Sequence, residues 1–93
     1  MIVIRENGSS EVLEGSRHLA LDALQAAVGG YIEIVAFTDG SAFVVNEEGL
    51  LHGMRPNIAA SLIAASKGRR VALVGPVAFL TAAEVRSMED DDA

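Results

Sequence analysis

The chain has 93 residues, a formal net charge of −6 and no cysteine. That length fits one domain. The missing thiols exclude a disulfide framework and a thiolate metal site, and the acidic balance argues against a basic surface for nucleic acid. Hydrophobic residues make up 51% of the chain, yet the aromatics are only Tyr31, Phe37, Phe43 and Phe79. The core must therefore be aliphatic, and there is more apolar material than a small monomer readily hides. A self-association surface, and with it a homodimer, is expected. The longest apolar stretch, Val71 to Leu80, is interrupted by Gly75-Pro76 and is too short to span a membrane. With no signal-like N-terminus, the expected location is cytoplasmic and no membrane partner is expected.

Residues 2–5 and 11–14 flank Glu6-Asn7-Gly8-Ser9-Ser10, and Asn-Gly signals a β-hairpin because both residues tolerate positive φ. Ser16 is placed to cap a helix from about Arg17 to Val28, with Ala20, Leu24, Ala27 and Val28 on one apolar face. Gly29-Gly30 ends it. Tyr31 to Phe37 is the clearest strand; Thr38 to Ser41 turns, and Ala42 to Val45 returns. Asn46-Glu47-Glu48-Gly49 is a second turn, after which Leu50-Leu51-His52 reads as a short third strand of the meander.

Pro56 stops that strand, and Asn57 caps a helix from Ile58 to about Ser66, terminated by Gly68. Arg70 to Val74 is a β-branched run, bent at Gly75-Pro76 and continuing into Val77 to Leu80. Thr81-Ala82-Ala83-Glu84 has capping-box spacing, predicting a short final helix to about Met88. Residues 89–93 read as a disordered acidic tail. It carries four of the acidic charges, so the body is only mildly acidic. The architecture expected is α+β: an N-terminal hairpin, a central meander and a late strand in one mostly antiparallel sheet, packed by two main helices. Residues 1–88 form the single domain.

The succession Gly30-Tyr31-Ile32-Glu33, Val45-Asn46-Glu47-Glu48-Gly49, Pro56-Asn57 with Ala60, and Val74-Gly75-Pro76-Val77 resembles the domain of unknown function 3846 family. The likeness covers roughly residues 1–80 and rests on turn and cap residues. It implies this fold and an origin in bacteriophages, plasmids or integrative elements of bacteria, and it carries no catalytic residue with it.

The residues themselves offer few routes to chemistry. His18 and His52 are the only histidines, without metal-ligand spacing, so no metal and no cofactor are expected. Glu47 and Glu48 are adjacent and diverge on an extended chain, unlike the paired carboxylates of a glycosidase. Asn46, Glu47 and Glu48 hold only a fragment of a calcium loop. No serine sits in a nucleophile-elbow context, and no glycine-rich loop precedes a helix as a phosphate cradle requires.

Two binding readings follow, with no catalytic residues. In the leading one the chain is a non-enzymatic protein of phage or mobile-element origin that docks on a bacterial host protein, in host takeover or counter-defence. Its contact surface includes the Phe37 and Phe43 hairpin. In the alternative, Arg55-Pro56-Asn57 at a helix start grips a small anion or nucleotide, assisted by Tyr31 and His52. An enzyme would instead need Glu47 or Glu48 to converge with His52 in a concave pocket.

Overall fold

The computed structural model describes residues 1–13 and 21–90. Its elements are β1 (Ile2–Ile4), β2 (Ser10–Val12), α1 (Leu21–Val28), β3 (Ile32–Ala36), β4 (Ala42–Asn46), α2 (Ile58–Ser66), β5 (Val77–Leu80) and α3 (Ala82–Asp90). The five strands form one antiparallel sheet in the order β2-β1-β5-β4-β3. The fold is α+β, as expected. Ser16 and His18, placed at the start of the first helix by the sequence, lie outside the described residues.

The sheet is covered on both faces. Phe43 and Val45 of β4 point to one side, with Val35, Ile4 and Val77, and meet Ala60 and Ala64 of α2. Val44 points to the other side, with Ala78 and Leu80, and meets Leu24 and Val28 of α1 and Val85 and Met88 of α3. A central strand enclosed this way carries no polar alternation, and β4 is buried along its whole length. The arrangement is thus three layers, with α3 a full packing element. It runs to Asp90, so the first two residues of the expected tail are helical; residues 91–93 lie outside the described residues.

Both hairpins use one turn design. In Arg5–Ser9, Gly8 N donates to Arg5 O and Arg5 N to Ser9 O; in Phe37–Ser41, Gly40 N donates to Phe37 O and Phe37 N to Ser41 O. Gly8 (φ 86) and Gly40 (φ 91) take the left-handed position. Asn7 and Asp39 each accept from the backbone N–H and the hydroxyl of the serine two residues on. These are three-residue loops with a bulge at glycine, so Asn7 needs no positive φ. Lys67 then ties the second hairpin to the end of α2, its Nζ 2.7 Å from Asp39 Oδ2.

Two predicted strands are absent. Leu50-Leu51-His52 forms consecutive turns, with His52 N donating to Glu48 O and Met54 N to Gly49 O. The run 70–74 is a loop. It pairs locally with the entry to α2 through a Pro56–Val74 bridge and through Asn57 N to Leu73 O at 2.8 Å, while Leu73 fills the core beneath. The late strand is β5 alone, held between β1 and β4.

Candidate functional site

The sequence-chosen residues separate into three surface hollows and the interior. Tyr31, Asn46, Glu48 and His52 line one open depression of about 360 Å³ with Gln25 and Gly30. Asn46 is structural there: Nδ2 donates to Val28 O at 3.1 Å and Oδ1 accepts from Glu48 N at 2.8 Å. It ties the end of α1 to the turn after β4. Gly30 must stay small beside it, since a Cβ at that position would lie 2.9 Å from Asn46 Nδ2. Glu48 and His52 do share this hollow, but among the described residues no hydrogen bond orients the imidazole. Glu47 points elsewhere, into a second cavity of about 320 Å³ with Glu33 and Arg69.

Arg55 and Asn57 do not act together. Arg55 is exposed, beside Glu6, Asn7, Pro56 and Ile58 in a third hollow. Asn57 is fully buried. Its Nδ2 donates to Ile4 O and Gly75 O, and its Oδ1 accepts from Ala60 N at 3.0 Å. The cap thus occupies one of the first-turn amides, and Glu6 shares the hollow with Arg55.

Phe37 and Phe43, expected at a contact surface, are core residues, and Phe43 is 0% exposed. Their rings meet edge to face at 5.1 Å, and Phe43 meets Phe79 at 5.9 Å. Aromatic side chains supply the largest apolar areas to bury in an otherwise aliphatic chain.

The surface that stands out was not singled out by residue chemistry. α2 reads IAASLIAAS, with no charged residue on any side. Even its serine hydroxyls turn back to the backbone: Ser61 Oγ donates to Asn57 O and accepts from Leu73 N, and Ser66 Oγ donates to Ile63 O. Ala60 and Ala64 face the core, which leaves Ile58 63% and Leu62 66% exposed on the opposite side. Beside α2 runs a groove of about 350 Å³ between Ala59, Ile63 and Lys67 and the first hairpin, with Ile4, Phe43 and Phe79 in its lining. Lys67 overhangs it, Nζ 5.5 Å from the Phe37 and Phe79 ring centroids. A helix apolar all round belongs in an interior. The signal was legible as nine residues without a charge after the Asn57 cap.

A family model matches residues 1–92. The chain belongs to the family described as Domain of unknown function (DUF3846). The turn and cap residues that carry the resemblance have structural work in this DUF3846 fold: Gly30 and Asn46 clamp α1 to β4, and Asn57 joins α2 to β1 and to Gly75. No curated protein and no solved structure matches the chain. Among the described residues no helix is long and apolar enough to cross a membrane, and no group of three metal-binding side chains converges.

Proposed function

We propose that this DUF3846 domain is a non-catalytic protein-binding module whose contact surface is the outer face of α2 with the adjoining groove. The observation that carries the reading is the uncharged α2 with Ile58 and Leu62 left to solvent. Apolar patches rimmed by polar groups mark interaction sites. Here the rim includes Lys67 and Ser10 at the groove mouth. An apolar anchor from the partner would fill the groove and meet the half-buried Phe79 ring, while Ile58 and Leu62 supply the surrounding dry area. The mobile-element setting implied by the family resemblance makes a bacterial host protein the partner class, and host takeover or counter-defence the biological role.

The test compares the wild-type chain with an Ile58→Glu/Leu62→Lys variant as immobilised bait in host lysate. The reading predicts one protein retained in stoichiometric amount by the wild type and lost with the variant, whose melting curve stays unchanged. Equal retention by both baits, or by neither, contradicts it.

A further inference from the structure

A different observation, independent of the α2 surface, concerns the open end of the sheet, and from it we infer that the chain forms a two-fold dimer through the outer edge of β3. β3 is the last strand in the sheet order. Glu47 N donates to Tyr31 O at 2.9 Å, and Phe37 N donates to Ser41 O at 2.9 Å. With the register Ile32–Asn46, Ile34–Val44 and Ala36–Ala42, antiparallel alternation turns the N–H and C=O groups of Ile32, Ile34 and Ala36 away from β4. Among the described residues these outward groups take one hydrogen bond, from Arg69 Nη1 to Ala36 O at 2.9 Å. An unpaired edge of this kind is a template for another strand.

The occupant that fits is β3 of a second copy, antiparallel and centred on Ile34. In that register Ile34 opposes Ile34, Ile32 opposes Ala36, and Glu33 opposes Val35. One face gains a continuous apolar row from Ile32, Ile34 and Ala36 of both copies, and covers an Ile34 that is 53% exposed in the single chain. The other face selects for a second copy by charge. Glu33 and Val35 line the same cavity as Arg69, and Arg69 sits at the Ala36 carbonyl. Antiparallel pairing brings Glu33 of each copy to the Val35–Ala36 end of the other, beside its Arg69. The two-fold axis forms that pair twice. Arginine has five N–H donors in a planar fork, so it can keep the carbonyl and also meet the carboxylate. The product is a continuous ten-stranded sheet with no exposed β3 edge.

Sedimentation velocity of the full chain over a concentration series, together with amide exchange at Ile34, tests this. The inference predicts a concentration-dependent dimer in which the Ile34 amide becomes protected. Ile34→Lys, which places a charge on an exposed edge side chain, and Arg69→Glu each weaken self-association about tenfold or more through unpaired or like charges. Combining Glu33→Arg with Arg69→Glu restores it. Thermal melts of each variant establish that the monomer still folds, and Arg69→Glu serves should Ile34→Lys prove unstable. A monomer at every concentration overturns the inference. So does a dimer that survives both single variants, or a charge-reversed pair that fails to recover association.

Discussion

The side-chain amide of Asn57 stands 2.8 Å from the carbonyl of Gly75 and 3.0 Å from that of Ile4, while its oxygen caps α2. One buried residue thus joins the start of a helix, the first strand and the turn leading into β5. Asn57→Ala removes the cap and leaves two carbonyls without their donor. The expected loss is about 2–4 kcal/mol of unfolding free energy, measured by urea denaturation. Asn57→Asp keeps a capping oxygen but turns a buried carboxylate toward the same carbonyls. It is expected to be no more stable than the alanine variant at neutral pH.

Gly30 and Asn46 form the second such joint. Gly30→Ala places a methyl where the Asn46 amide lies, so that amide must leave Val28 O. The expected loss is about 1–3 kcal/mol, the range for a buried hydrogen bond displaced by overpacking. Asn46→Ala combined with Gly30→Ala should cost less than the sum of the two single changes, because the clash disappears with the side chain. A double-mutant cycle by chemical denaturation reads this directly.

Stability should fall with acid through two identified carboxylates. Burial pushes the Glu84 carboxyl up, but hydrogen bonds from the Met1 amine and the Thr81 backbone outweigh it, and the net shift is downward from 4.5. The Lys67 hydrogen bond, then those from Ser41, hold the exposed Asp39 carboxyl well below the usual range. A carboxylate with a lowered folded-state pKa binds fewer protons than in the unfolded chain. Its contribution is therefore complete above the ordinary carboxylate range and lost as pH falls toward the folded-state value. Thermal melts from pH 6 to pH 2.5 should show a shallower acid decline for Glu84→Gln and Asp39→Asn than for the wild type. Parallel curves would contradict this.

The outer face of α2 should be free of folding duty. Ile58→Glu puts a negative charge in the first helical turn, where the helix end favours it. Leu62→Lys exchanges one strong helix former for another. Each should change unfolding free energy by no more than about 0.5 kcal/mol, whereas Ala60→Leu, at the fully buried contact with the sheet, should destabilise by about 1–3 kcal/mol through overpacking. Denaturation midpoints of the three variants distinguish the two faces of the helix.

Local sequence signals specify the structure where the structure is local. The Tyr31–Val45 hairpin, the Asn57 cap and the Thr81–Glu84 capping box stand as expected, with Glu84 N donating to Thr81 Oγ1 and Thr81 N to Glu84 Oε1. Sequence pattern and structure diverge where distant partners decide. Val71 and Leu73 have the composition of a strand, but β1 and β4 already flank β5, so the run serves as a lid on the core and a brace for α2. Phe37 and Phe43 looked available on a two-stranded hairpin; only the third layer, α2, shows that they are enclosed. The groove was invisible for the same reason, since its walls come from residues more than fifty positions apart, Ile4 and Ile63 among them. The uncharged stretch from Ile58 to Ser66 was visible as composition, and only its geometry shows which side has no cover.

The protein-binding role requires that another protein cover α2. A photo-crosslinking amino acid at position 62, with a matched control at the exposed Ala23 of α1, measures that contact inside the host cell. A discrete adduct between this chain and one other protein is expected from position 62, absent at position 23 and abolished by Ile58→Glu. No adduct at position 62, or the same adducts from both positions, would contradict it.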